Sequence, residues 1–250
     1  MNPSRLGGID QLRALAMLWM TAFHFAFDLN QIGWIAQNFY RDPFWTVQRT
    51  AIVSLFLFTA GLSQAVAQAQ GVSWPRFWRR WAQVAGAALL VTAGSMWMFP
   101  NSFIYFGVLH GMAVMLIIVR LTAGCGRWLW LLGAFALLAS VWAKTAGPAW
   151  VAAMPALEVF NTPAWNWLGL VSRLPITEDY VPLLPWLAAI WWGMAAGQWM
   201  LRERAHWLGW QLPGRLGQVL AVLGRWSLSY YLLHQPVLLG GLMGLAWVLG

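Results

Sequence analysis

Three side chains in the first long apolar stretch of the sequence are of types that do chemistry. Arg13 follows Asp10, and His24 stands eleven positions after Arg13. Because an α-helix turns by about 100° per residue, this spacing puts Arg13 and His24 on one helix face. Asp28, four residues beyond His24, lies on nearly the same face. Ionisable groups aligned along a membrane helix are costly, so the pattern indicates that they are used.

The chemistry that this pattern indicates is general base catalysis. His24 can accept a proton near neutral pH, and a carboxylate at Asp28 would fix its tautomer and raise its basicity. Arg13 has two interpretations: it contacts an anionic substrate, or it anchors the helix at the inner membrane surface. The sequence leaves both open, although the shared face favours a functional role for Arg13.

The composition defines the class of protein that must hold these side chains in place. Of the 250 residues, 60% are hydrophobic and 9% are charged, whereas a soluble domain has about 25% charged residues. The 21 Trp and 24 Gly are typical of membrane interfaces and of close helix packing. We predict an all-α, polytopic membrane bundle that forms one domain over residues 1–250. Its chemistry would then lie within the bundle.

Seven apolar segments are long enough to cross a bilayer, at about 11–31, 46–69, 82–99, 103–121, 128–144, 182–201 and 226–249. With the N-terminus inside, the inner side holds Arg5, Arg13, Arg76, Arg79, Arg80, Arg120, Arg127, Arg202, Arg204, Arg215 and Arg225. The outer side holds Arg41, Arg49, Lys144 and Arg173. The excess of positive charge inside predicts an N-in, C-out orientation. The first segment is expected to be a retained span rather than a cleaved signal peptide.

Two further segments lie outside these spans. Residues 145–181 form one long outer loop rich in Pro and Trp, which we interpret as a re-entrant or interfacial cap. Its Trp side chains suit either stacking on a sugar or contact with the membrane interface. Residues 216–223 are apolar but too short to span, which indicates an interfacial helix before the last span.

Several classes of function are disfavoured by the same composition. The net charge of +8 follows from the inner loops and does not indicate nucleic-acid binding. The single Cys125 forms no intramolecular disulfide. The histidines are on separate spans without a His-Glu-x-x-His or paired-cysteine pattern, so no metal is expected. A Gly-rich phosphate loop and a serine nucleophile elbow are not found either.

Other polar residues are predicted to lie near His24. His110 enters from the outer side to a similar depth, as a second catalytic residue or a structural partner. Asp179 stands at the outer mouth of the sixth span, where it could also cap that helix. In the last span, His234 lines an inner half-channel or holds the helix to the bundle. Arg49, in the second span, could pair with an acidic residue or bind the acceptor.

Five motifs in order resemble those of a known family. The Asp-x-Leu-Arg stretch with His24 resembles the first helix of membrane acyltransferases of the O-antigen acetylase type. Four others resemble the heparan-alpha-glucosaminide N-acetyltransferase catalytic-domain family more closely. They are Arg49 with residues 54–61 (SLFLFTAG), residues 106–110 (FGVLH), residues 179–186 (DYVPLLPW) with Gly193, and residues 227–234 (SLSYYLLH). The resemblance covers almost the whole chain.

The resemblance implies transfer of an acetyl group from cytoplasmic acetyl-CoA to an acceptor across the membrane. Acetyl-CoA would be bound by Arg13, Arg76, Arg79, Arg80 and His234. His24, Asp28 and His110 would be catalytic, either by direct transfer or through an acetyl-histidine. The acceptor would be a hydroxyl or amine on a sugar or glycan, near Arg49, Asp179, Tyr180 and Trp186. The implied location is a bacterial inner membrane.

Two other classes of function stay open at this stage. A proton-coupled or small-solute transporter would use the intramembrane His and Asp residues as a relay, although no inverted repeat is evident. A structural subunit without chemistry is disfavoured by the number of ionisable groups within the spans. Gly107 with Gly111, and Gly193 with Gly197, could pack helices within the bundle or between copies of a homo-oligomer.

Overall fold

The computed structural model describes residues 6–249, and within them the chain is helical without a strand. The prediction of an all-α fold is therefore confirmed. Arg5, counted above on the inner side, lies outside the described residues. Backbone pairing between extended segments is limited, in this part of the chain, to one bridge between Phe106 and Tyr180.

Most of the described chain lies in long helices joined by short turns. In chain order the α-helices are α1 (Gly7–Gln31), α2 (Pro43–Ala69), α3 (Trp74–Met98), α4 (Val108–Thr122), α5 (Trp128–Thr145), α6 (Gly147–Ala153), α7 (Leu183–Glu203), α8 (Ala205–Gly209), α9 (Gly214–Arg225) and α10 (Ser227–Leu249). Short 3₁₀ segments cover Ala123–Cys125, Pro155–Asn161 and Asn166–Leu168. The short apolar segment predicted to be helical before the last span forms α9.

Five of the described helical segments are long and apolar enough to cross a membrane: Gly7–Gln31, Pro43–Ala69, Val108–Cys125, Trp128–Thr145 and Ser227–Val248. The other two predicted spans coincide with α3 and α7, which also form long helices. Neither is among these five segments; α3 begins with three arginines, and both helices are rich in Trp. The structure thus supports a membrane protein with at least these five candidate spans among the described helices.

The chain forms two compact units. Among the described residues, the first consists of residues 6–56 together with residues 205–249, and the second consists of Leu57–Arg204. The helix α2 contributes its beginning to the first unit and its remainder to the second. His24, Asp28 and His234 belong to the first unit, whereas His110 and Asp179 belong to the second.

In the first unit, α9 and α10 pack along α1. The Gln11 side chain donates hydrogen bonds to the carbonyls of Leu212 and Gly217, at 3.1 and 2.9 Å. A Cβ on Gly224 would lie 1.8 Å from the Asp10 carbonyl oxygen, so only glycine allows this approach. A core of Met20, Phe23, Phe39 and Ile52 fills the side of α1 that faces α2.

Contacts between α1 and α10 progress in the same direction along both helices. Thr21 contacts Tyr230, His24 contacts His234, and Asp28 contacts Gln235. The two helices therefore run parallel, and their N-terminal ends lie at the same end of the first unit.

The second unit is built around α7. A Cβ on Gly193 would lie 2.1 Å from the Phe58 carbonyl oxygen, and one on Gly197 would lie 2.6 Å from Cβ of Ala65. The pairs Phe58–Gly193 and Ala65–Gly197 show that α2 and α7 are parallel. These glycines, like Gly107 and Gly111, pack against neighbours within their own unit.

The helix α4 lies between α3 and α7 in the same unit. Its first residue, Val108, contacts Asp179, and its last, Thr122, accepts a hydrogen bond from Trp191 at 3.0 Å. From Val108 to Thr122 the contacted residue also moves forward along the chain, from Asp179 to Trp191. The helices α4 and α7 are therefore parallel. The helix α3 runs the opposite way, since its Thr92 contacts His110 and its Trp74 ring lies under the Arg120 guanidinium.

Candidate functional site

The most distinctive arrangement in the first unit is a pair of imidazole rings. His24 of α1 and His234 of α10 have ring centroids 5.2 Å apart, with an angle of 59° between the ring planes. Both side chains are half-buried. The parallel packing of α1 and α10 brings them together, because each stands on the face that its helix turns to the other. The sequence predicts polar roles for both histidines, but it does not predict that their rings pair.

The tautomer of His234 follows from its contacts. Its Nδ1 lies 2.7 Å from the carbonyl oxygen of Tyr231, which can only accept, so Nδ1 carries the proton and donates. The Nε2 atom is then an acceptor, and it is buried with no hydrogen-bond partner in the described structure. The Tyr230 ring lies parallel to the His234 ring, at 3° and 6.1 Å.

Asp28 holds α10 beside the histidine pair. Its side chain is buried, with 2% of the residue exposed. The Gln235 amide nitrogen donates to both carboxylate oxygens, at 2.9 and 3.2 Å. The predicted hydrogen bond between Asp28 and His24 is not formed among the described residues. The neighbouring helix supplies the partner instead, because the Gln235 amide reaches the buried carboxylate from α10.

Arg13 lies at the other end of α1 and is already engaged within the first unit. Its guanidinium forms an ion pair with Asp10 at 2.8 Å and lies 3.4 Å from the Gly224 carbonyl oxygen. Only 18% of its side chain is exposed. These contacts fit the role of a helix anchor, and binding of the donor by Arg13 stays a prediction.

In the second unit, both nitrogens of His110 are occupied. The Gly107 backbone N–H donates to Nδ1 at 3.2 Å, so the ring proton lies on Nε2. Nε2 contacts Thr92 Oγ1 at 2.9 Å, and this hydroxyl donates onward to the Ile104 carbonyl at 2.8 Å. A neutral imidazole with both nitrogens satisfied connects α3 to α4. The geometry favours the structural alternative for His110 over a catalytic one.

Asp179 caps a helix, but a different one from the helix suggested by its position in the sequence. Its carboxylate accepts a hydrogen bond of 2.7 Å from the backbone N–H of Val108, at the start of α4. A Cβ on Gly107 would lie 2.3 Å from the same carboxylate, which explains the glycine there. An acidic group stabilises the N-terminal end of a helix, where the free backbone N–H groups point. Asp179 therefore positions the turn that carries His110.

Tyr180 belongs to a buried polar cluster before α7. Its hydroxyl donates to the Asn166 carbonyl at 2.6 Å, and the Asn166 amide nitrogen donates to the Tyr105 hydroxyl at 2.7 Å. Burial, followed by the effect of nearby Tyr105, raises the pKa of Tyr180 well above its ordinary value. Burial also raises the pKa of Tyr105, against the opposing hydrogen bond from Asn166. Both phenols are therefore neutral donors and acceptors at physiological pH. The sequence pattern does not single out Asn166 within the loop, because its partners are distant in sequence.

The remaining predicted site residues lie on the two ends of the second unit and on α2. Arg76, Arg79 and Arg80 are exposed along the first turns of α3. Trp186 is half-buried near the start of α7, and Arg49 is exposed on α2. The expected gathering of His24, Asp28, His110 and Asp179 involves both units and stays a prediction. Among residues 6–249, no group of three or more His, Cys, Asp or Glu side chains is placed to hold a metal ion.

The helices and the intramembrane histidines define an integral membrane protein with a polar site inside its helical framework. The family model described as heparan-alpha-glucosaminide N-acetyltransferase, catalytic, matches residues 5–236 of the 250-residue chain. The chain belongs to this family, which confirms the resemblance seen in its motifs and identifies a transferase-type membrane enzyme. Comparison with curated proteins and with solved structures gave no match.

Proposed function

We propose that the protein transfers an acetyl group from cytoplasmic acetyl-CoA to a hydroxyl or amine acceptor on the outer side of the membrane. The observation that carries this proposal is His24, an intramembrane imidazole beside His234 in a chain of an acetyltransferase family. The family description names a glucosaminide, so a sugar amine is the acceptor class that we favour. The inner membrane of a bacterium is the proposed location.

The proposed topology has seven spans, with the N-terminus inside and the C-terminus outside. Helices α1 and α10 are parallel, which requires an odd number of spans from the first to the last. Helices α3 and α7 pack along α4, which is a candidate span, over most of its length. This packing supports α3 and α7 as spans too. Their directions, antiparallel and parallel to α4, match their order in a seven-span chain.

The donor would approach from the inner side in this topology. Arg76, Arg79 and Arg80 stand exposed at the inner end of α3, where they suit the phosphates of acetyl-CoA. The Arg13 guanidinium is paired with the Asp10 carboxylate, so less of its positive charge is available to attract a phosphate group. The exposed α3 arginines are therefore the stronger candidates for contact with the donor phosphates.

His24 is the general base in the proposed reaction. It takes the proton of the acceptor O–H or N–H while that oxygen or nitrogen attacks the thioester carbonyl carbon. The C–S bond then breaks. The departing CoA thiolate accepts this proton from the His24 imidazolium, which returns His24 to its neutral form. A route in which His24 itself carries the acetyl group before transfer is the alternative within the same site.

The experiment is acetyl transfer from radiolabelled acetyl-CoA to glucosamine by the purified protein. His24→Ala should lower kcat by about 10²–10⁴-fold, the range of general base catalysis. His206→Ala is the matched control, since His206 is an exposed histidine of α8, and it should keep wild-type activity. Wild-type activity in His24→Ala would exclude His24 as the base.

A second candidate function is a proton-coupled transporter. The observation in its favour is the succession of polar contacts between α1 and α10, from Thr21–Tyr230 through His24–His234 to Asp28–Gln235. Calorimetric titration with acetyl-CoA distinguishes the two, because an acyltransferase binds it and such a transporter does not. Proton flux in proteoliposomes without acetyl-CoA would support the transporter.

A further inference from the structure

We propose that His234 is a positioning residue for His24: it accepts a hydrogen bond from the His24 ring and so directs the basic nitrogen of His24 to the acceptor. This inference rests on the proposed function, because it assigns a partner to the proposed base. The role resembles that of the buried carboxylate in a catalytic triad, with a neutral imidazole as the acceptor. His234 does not itself take up a proton during the reaction.

The first step of the argument is the fixed tautomer of His234. Its Nδ1 proton is committed to the Tyr231 carbonyl, so its Nε2 offers a lone pair and cannot donate. Nε2 is buried without a partner in the described structure. A buried acceptor without a donor is unfavourable, and such an atom in a functional helix pair indicates a partner that arrives during function.

The second step is that two donors on α10 beside His234, the Tyr230 hydroxyl and the Gln235 amide, are already committed to other acceptors. The Tyr230 hydroxyl contacts Thr21 Oγ1, which itself donates to the Met17 carbonyl, so Tyr230 donates to Thr21. The Gln235 amide nitrogen donates to the carboxylate of Asp28. His24 lies 5.2 Å away between ring centroids, within a ring rotation of an N–H···N contact. Catalytic hydrogen bonds commonly tighten only when the substrate is bound.

The third step is the rigidity of the site. The Tyr230 ring lies parallel against one face of His234, and the Tyr231 ring lies 5.6 Å away. The Thr21–Tyr230 hydrogen bond fixes α10 against α1 on one side of the pair. The Asp28–Gln235 hydrogen bonds fix it on the other side. His234 is therefore held, and His24 is the ring that moves to it.

The proton balance is simple. The neutral His24 ring donates its own N–H to His234 Nε2, which leaves its other nitrogen with a lone pair for the acceptor. When that nitrogen takes the acceptor proton, His24 becomes an imidazolium whose charge is stabilised by the same hydrogen bond. The proton leaves with the CoA thiol, and the pair returns to its initial state.

The kinetic test compares two substitutions at one position. His234→Leu removes the acceptor, and we expect kcat to fall about 10–100-fold, part of the contribution of general base catalysis, with KM for acetyl-CoA within about threefold. His234→Gln places an amide oxygen where Nε2 was, so it should recover most of that loss. Equal losses of kcat in both variants, or a change confined to KM, would overturn the proposal.

A second measurement does not depend on activity. The chain has four histidines, so ring ¹⁵N spectra of histidine-labelled protein can be assigned by removing each in turn. With CoA bound, we expect Nδ1 of His234 to be protonated and Nε2 to show the shift of a hydrogen-bonded acceptor. His24→Phe should move that Nε2 signal to the value of a free acceptor, and His206→Ala should not.

The two tests separate this inference from the proposed function. A His234 protonated on Nε2, or an Nε2 signal insensitive to His24→Phe, would refute the pair even in an active acetyltransferase. Conversely, an intact pair in a wild-type protein that transfers no acetyl group would refute the proposed function and leave the hydrogen bond between His24 and His234 in place.

Discussion

At the scale of single residues, the membrane site depends on polar partners that come from another helix. Asp28 is among the most deeply buried polar residues described, and Gln235 is the side chain that donates to its carboxylate. Gln235 also leaves its own Oε1 buried and unpaired among the described residues. A buried polar pair that leaves one atom without a hydrogen-bond partner costs stability. Such a pair is kept in a protein when it fixes a geometry that function requires. In the proposed mechanism, that geometry is the position of His234 beside His24.

The first prediction concerns the Asp28–Gln235 pair. Gln235→Leu leaves the buried Asp28 carboxylate without its donor, so we expect the free energy of unfolding to fall by about 1–3 kcal/mol. Unfolding of the purified protein by titration with a denaturing detergent measures it. The control is Gln48→Leu, which removes a hydrogen bond to Trp19 at an exposed position. It should change stability by less than about 0.5 kcal/mol. Equal effects would contradict the role given to Gln235.

At the scale of helices, glycines decide how closely the helices of the second unit pack. Gly61 and Gly193 place α2 and α7 so close that a Cβ on either would lie 2.1 Å from a backbone oxygen. Small residues are common where membrane helices cross. The hydrophobic effect does not drive helices together in lipid, so association depends on close packing, which small residues allow. Asp179 and Tyr180, which precede α7, contact the chain at the start of α4.

The second prediction tests this crossing. Gly193→Ala places a methyl group against the Phe58 carbonyl, whose backbone cannot move aside cheaply, so we expect a loss of about 1–3 kcal/mol. Gly86→Ala in α3 is the matched control, because a Cβ there meets nothing within 4 Å. It should be neutral or slightly stabilising, since alanine favours the helix. A shift in melting temperature as large in Gly86→Ala as in Gly193→Ala would contradict the packing argument.

At the scale of the whole molecule, the number of spans determines which side each loop faces. Five candidate spans and seven proposed spans both put the two termini on opposite sides, so the termini do not distinguish them. The turn between α4 and α5 does. With the proposed N-terminus inside and with α1 and α2 both crossing, this turn faces inside if α3 also crosses the membrane and outside if α3 does not. The single Cys125 lies in this turn and is exposed.

The third prediction uses this native thiol. With seven spans, a membrane-impermeant maleimide should not label Cys125 in intact cells and should label it in inverted membrane vesicles. The matched variant for the opposite side combines Cys125→Ser with Ala164→Cys, so that its single thiol lies in the predicted outer loop. The maleimide should label this variant in intact cells. Labelling of wild-type Cys125 in intact cells would contradict the seven-span topology.

The sequence alone was sufficient for the class of fold, the positions of the long helices and the face of α1 that carries His24. These depend on composition and on helical periodicity, which are local properties of the chain. The partners of the polar side chains were decided by the tertiary structure. Gln235 lies 207 positions from Asp28 along the chain, and Asp179 lies 71 positions from the N–H that it caps. No periodicity carries over such separations, because which donor meets which acceptor depends on how the helices pack.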